Sequence, residues 1–471
     1  MSDRRVFRWA TTSARMLIGT VVSVAAVVAV VTAVSVPWPT ITHEPVSVST
    51  LPAPAASVVA CDGGLLSIGR DATDADAIAV ATPQTVTVGV SDGAPPAEER
   101  PLEVTDLAIG QGPVAFVAQP MGRSRVDVAA AGASTVRADD LAGFAASACR
   151  PPLLESWLVG GSGATGAADL VLVSNPGTVA ATVELTVYGA EGEQSPPGSS
   201  ALIVAPGTQR IVPLAGIALG EESPVIRVSA VGAPVHASLQ TSIMRTLTPG
   251  GVDQVGAVPQ PEQTQTITGV AVTGAPGVSG ASDEATVLRI LSPSADATAT
   301  VTVTATGRAE PTLVPDAVSL VAGEPAELAL AGLAIGSYTV TVVSDAPIVS
   351  AVWQATGFGE GDDFAWYTPS PIVDVPSLFA APSGPLPSLT VANPGDEPAV
   401  VAVTSEDGAF RLELTVPAGG TMTARLSPRT VYLIDPSSPI RAALSLTGDG
   451  ALAGIPVWPA DAASPEIVVY P

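Results

Sequence analysis

Residues 169–189 read DLVLVSNPGTVAATVELTVYG: an apolar run, a corner at Asn175-Pro176-Gly177, and a second run in which β-branched and polar residues alternate. Alternation with period two is the pattern of a half-buried strand. Pro176 fixes φ, Gly177 tolerates positive φ, and Asn175 carries a side chain able to cap the corner, so a type II turn is expected there. The stretch therefore predicts two strands joined by a tight corner.

The chain holds only two asparagines, Asn175 and Asn393, and both stand in an NPG. The second lies in residues 388–408, SLTVANPGDEPAVVAVTSEDG, with the corner Asn393-Pro394-Gly395 between two Val-rich runs. A third stretch has Ser292-Pro293-Ser294 at the corner, offset by 117 residues from the first and 101 from the last. Self-similarity at such a period indicates a repeated module. About 100 residues with six or seven short strands is the size of an immunoglobulin-like sandwich. The segment ends also look alike: VSAVGAPVHASLQ (228–240), VTVVSDAPIVSAVWQ (340–354) and ALSLTGDGALAGIPVW (443–458), so Trp353 and Trp458 are expected to fill one shared core position. Pro- and Gly-rich residues 249–265 and 369–386 read as linkers.

The expected fold is all-β: tandem immunoglobulin-like β-sandwich modules after a single N-terminal transmembrane helix. The expected divisions are a cytoplasmic tail (1–15), a transmembrane helix (16–36), a Pro/Ser/Thr-rich spacer (37–60), an N-terminal β domain (61–150), and three sandwiches (151–248, 266–368, 378–471). Residues 16–36 contain no charge, long enough at 1.5 Å per residue to span a layer of ~30 Å. Arg4, Arg5, Arg8 and Arg15 precede them and no basic residue follows until Arg70. The positive-inside rule then leaves the amino terminus in the cytoplasm and the bulk outside. A cleaved signal peptide would have a shorter apolar core and a small-x-small site; Val31-Thr32-Ala33 is a poor one, so an uncleaved anchor is expected. Trp38 is placed to sit at the membrane interface.

All 19 basic residues are arginine against 44 acids, for a net charge of −25. Such acidity repels phosphate backbones, so no nucleic-acid partner is expected. Cys61 and Cys149 are the only cysteines. They lack CxxC spacing and nearby histidine, and outside a membrane an isolated pair most simply forms one disulfide.

WLVGGSGATG (157–166), followed by LVLVSNPGTVAATVELTVYGAEGE and preceded by Cys149, resembles the bacterial envelope family called domain of unknown function 5719. Cys61 after an apolar strand resembles it as well, although this chain has Cys61-Asp62 where that family commonly has Cys-Pro. The resemblance implies a single-pass, surface-exposed protein with no assigned activity, and it carries no catalytic residues across.

Residues 161–166 spell GxGxxG, but a strand-like run and the NPG corner follow directly, leaving no room for the helix a dinucleotide site needs. A loop is expected, with no nucleotide and no cofactor. His43 and His236 are the only histidines, and His236 lies in a strand, where a satisfied structural role is expected. The acid–aromatic cluster GFGEGDDFAW (357–366) offers Glu360, Asp362, Asp363 and Trp366 as a glycan or Ca²⁺ loop. Three carboxylates fall short of the six to eight oxygens Ca²⁺ takes, so a solvated loop is preferred and no metal is expected. Asp71, Asp74 and Asp76 are weaker still. The leading expectation is a non-enzymatic, membrane-tethered envelope protein that binds a partner protein or cell-wall glycan. The alternative is a glycan-binding or glycan-processing accessory protein, which requires a concave pocket joining two carboxylates and an exposed ring.

Overall fold

The computed structural model describes residues 3–35, 48–50, 53–70, 73–74, 77–274, 285–460 and 467–469. Trp38, His43, Asp71 and Asp76 lie outside the described residues, as does most of the expected spacer. The chain divides into two compact units, residues 1–52 with 464–471 and residues 53–463.

In the first unit a helix spans Asp3–Ser35, and its part Thr12–Ser35 is long and apolar enough to cross a membrane, as an anchor or a signal sequence is. Thr20 and Thr32 return their hydroxyls to carbonyls one turn back, which removes their polarity from an otherwise apolar surface. Val48–Thr50 pairs antiparallel with Ile467–Val469.

The second unit is nearly all β. Leu170–Asn175 lies between Thr208–Pro213 and His236–Arg245, and Thr248–Gly256 extends that sheet beyond His236–Arg245. A second sheet sets Glu155–Val159, Val225–Val231 and Ala181–Gly189 side by side. Val171, Val173, Leu239, Val183, Leu185 and Ile226 close the core between the two. The same order of pairing recurs twice. Thr286–Leu291 lies between Ala326–Ala329 and the end of the long strand Gly336–Ala355, which Phe364–Tyr367 extends. Pro387–Ala392 lies between Thr421–Arg425 and Ile440–Gly448, which Ala451–Pro456 extends.

The asparagine corners differ from the turn expected. Neither Gly177 nor Gly395 takes positive φ. The Asn175 Oδ1 accepts from the Gly177 N–H at 3.0 Å, an Asx turn that satisfies the corner without it. Its Nδ2 donates to the carbonyls of Val179 and Val204, at 2.8 and 2.9 Å, and Val204 belongs to the opposite sheet. Asn393 does the same with Gly395, Glu397 and Val416. Both side chains are buried clamps between sheets. Ser292, at the matching corner, reaches only Ala295 O.

Three expectations about boundaries fail. Residues 249–265 are not a linker: they contribute to Thr248–Gly256 and Glu262–Val272. Residues 369–386 contain Ile372–Val373 and Ser377–Ala381. Residues 57–60 of the expected spacer form a strand on Val114–Ala118. Trp353 and Trp458 do not share a position. Counted from the corners, the register places Trp353 opposite Val287 and level with Gln240 and Ser445. Trp458 follows the last strand of the third sandwich and lies under the Arg150 guanidinium, 4.5 Å from its ring centre.

The segments are not beads on a string. Ala142–Cys149, Thr248–Gly256, Phe364–Tyr367 and Ala451–Pro456 pack in a closed cycle, each against the next and the last against the first. Asp363 sits at this meeting point, and its carboxylate accepts N–H groups from Phe144, Val252 and Leu452 at 2.9, 3.1 and 3.3 Å. One side chain thereby joins the N-terminal segment to all three sandwiches. Cys61 and Cys149 form the disulfide, within a small core with Val59, Phe116 and Ala130.

Candidate functional site

The cleft begins with the loop that spells GxGxxG. It opens no helix; the strand Leu170–Asn175 follows it directly. Asp169 fastens the loop instead, its Oδ2 accepting from the Ser162 N–H at 2.7 Å and its Oδ1 from the Ser242 N–H at 2.8 Å. Burial pushes the Asp169 carboxyl up to about 7, against the pull of those two donors and of Arg289.

Facing the loop is one sheet face of the second sandwich. Across it Trp366, Trp353 and Val287 stand in adjacent strands at matched register, with Arg289 and Glu327 paired nearby. Arg289 is a buried arginine with every reach used: Nη1 donates to the carbonyls of Gly161 and Pro224, both at 2.9 Å, and Nε and Nη2 donate to Glu327 Oε1. Its guanidinium also lies over the Trp366 ring at 4.7 Å. Burial lowers its pKa, and Glu327 opposes that shift. Arg289 thus ties the second sandwich to the first through backbone carbonyls while keeping its pairing with Glu327, which the five-donor fork of a guanidinium allows.

Between loop and sheet is a cleft of about 300 Å³, bounded by Ser162, Asp169, Thr241, Glu327, Trp353 and Phe358, among others. That lies at the small end of the range for ligand sites. Trp353 is half-buried and packs tilted against Phe358 and Phe364, with ring centres 6.2 and 6.0 Å away. Thr241 Oγ1 is buried on the wall with no hydrogen-bond partner.

The acid–aromatic cluster read from the sequence is dispersed. Trp366 lines the cleft, 6% exposed. Glu360 is exposed. Asp362 closes its own loop, accepting from the Gly359 N–H at 2.7 Å. Asp363 is the sealed joint already described, with burial pushing its carboxyl up to about 7. Among the described residues no three His, Cys, Asp or Glu side chains are grouped to hold a metal. His236 is buried with Nε2 2.7 Å from Asp62 Oδ1. Burial works to raise the Asp62 carboxyl, but the His236 contacts hold it below its ordinary value.

The profile described as Family of unknown function (DUF5719) matches residues 104–426. The chain belongs to DUF5719. No curated protein matches it. The DUF5719 match takes in Cys149, both asparagine corners and every cleft residue named above, and stops short of Cys61 and the closing strand Ala451–Pro456. Sequence reading missed Arg289, Asp169, Thr241 and Glu327. The usable signal was Arg289, a lone charge inside the apolar run Thr286–Leu291.

Proposed function

We propose that this DUF5719 protein is a non-enzymatic, membrane-tethered protein of the bacterial envelope. Its amino terminus is cytoplasmic, and its β body lies outside, where it serves as an interaction scaffold. The observation that carries the reading is the pairing of an Arg-preceded apolar helix with a disulfide-closed β body. Basic residues mark the cytoplasmic flank, and a lasting disulfide marks an oxidising compartment. The body supports the role because its modules are fused into one unit that holds loops in fixed relation. Four buried acids also fit a structural part: Asp169, Asp253 and Asp363 accept backbone N–H groups at seams of the body, and Asp62 pairs with His236. We read the three similar sandwiches as copies of one module.

A second reading, glycan recognition, is favoured by the cleft, which brings Asp169 and Glu327 together with Trp353. Protease treatment of intact cells tests the leading reading. The β body is digested from outside, and Cys61 and Cys149 resist thiol labelling until reduced. A body protected in intact cells, or thiols free without reductant, refutes it.

A further inference from the structure

We infer that the cleft between the first and second sandwiches is a binding site for an uncharged saccharide, a mono- or disaccharide unit of a larger glycan. The inference rests on the reading of the body as an outward-facing interaction module, and it names the ligand class and the residues that hold it.

Three features converge. Trp353 is half-buried on the sheet face, with Val287 beside it, and it lines the cleft. An indole at such a face packs against the C–H side of a pyranose ring. Around it stand groups suited to hydroxyls: the Ser162 and Ser223 side chains and the Glu327 carboxylate. Finally, the walls are pre-organised. Asp169 holds the loop, and Arg289 locks the opposite sheet to Gly161 and Pro224.

The charge pattern separates this ligand from its rivals. Glu222 and Glu327 line the cleft, and the donors of Arg289 beside them are already engaged, so phosphates and uronates meet carboxylates with no free guanidinium to offset them. An ammonium ligand is held best by several aromatic faces at once. Here Arg289 already covers Trp366 and Arg245 lies over Phe358 at 5.1 Å, which leaves Trp353 without a second open ring beside it. A polyol that hydrogen-bonds to acids and hydroxyls while stacking on Trp353 matches what is left.

The test is calorimetric titration of the full chain in lipid nanodiscs with N,N′-diacetylchitobiose and mannobiose, and with tetramethylammonium and glucuronate as comparators. At least one disaccharide is expected to saturate one site, and neither comparator is. Trp353→Ala weakens binding roughly tenfold or more. Ser223→Trp, at the half-buried mouth, abolishes it, and decides the matter should Trp353→Ala fail to fold. Glu222→Gln, at an exposed rim position, weakens it about two- to threefold. No binding of either disaccharide, binding of tetramethylammonium in its place, or affinity unchanged in Ser223→Trp overturns the inference. A failed titration leaves the topology of the body standing, and a body found inside the cell leaves the titration standing.

Discussion

Asp363 and Asp169 are both buried carboxylates pushed up to about 7, yet they do opposite things. Asp363 is enclosed by strands from every part of the body, and its oxygens are saturated by N–H groups distant in sequence. Asp169 holds a local loop with two N–H groups and faces a cleft. The same chemistry serves as a joint where nothing can enter and as a wall where something can. What decides is whether the surrounding strands close over the group, not the residue type.

Asp363→Ala should break the comparison most severely. It leaves three buried N–H groups without an acceptor at the meeting point, at about 1–3 kcal/mol each, so a loss of about 5 kcal/mol is expected in denaturant unfolding. Cys149→Ser follows. The disulfide closes a separation of 88 residues, and the chain-entropy estimate of about 4.6 kcal/mol is the ceiling on the loss. Asn175→Ala unties a buried inter-sheet clamp and should cost about 2–3 kcal/mol. Ser292→Ala, at the weaker corner, should cost no more than about 1 kcal/mol. Equal losses at those two corners would show that the clamp adds nothing.

A last effect is on pH. The folded values of Asp169 and Asp363, about 7, lie above the ordinary 3.8, so between those limits the folded state holds protons that the unfolded chain has released. Stability therefore rises as pH falls from 8 toward 5. Below about 4 it is lost again as Asp62, held low by His236, is forced to protonate. The melting temperature should be higher at pH 5.5 than at pH 8, and Asp363→Asn should narrow that gap.

Strands with alternating Val and Thr were legible because their reason is local: 182–188 reads as a strand whatever surrounds it. The asparagine corners were legible as corners, but not as clamps, since Val204 and Val416 lie 29 and 23 residues away. Pro249-Gly250-Gly251 reads as a linker because glycine breaks patterns. In the fold Gly251 has φ of 117°, and a Cβ there would stand 2.6 Å from Phe364 Cδ1 and 2.8 Å from the Asp363 carboxylate. Close approach, not flexibility, demands that glycine. Asp363 misled for a similar reason. Its neighbours in sequence, Glu360 to Asp362, are loop residues, while its partners lie 89 to 219 residues off. The cleft was illegible as a whole because loop 161–166 and the strand bearing Arg289 are brought face to face only by the docking of two modules.

The closed cycle of the four strands also sets how such a protein can change over generations. An open stack of modules lengthens or shortens by gaining or losing units at its ends. Here the N-terminal segment abuts the third sandwich, and a unit inserted between two sandwiches would part strands that pack on one another in the cycle. Loops, rims and clefts can vary without that loss.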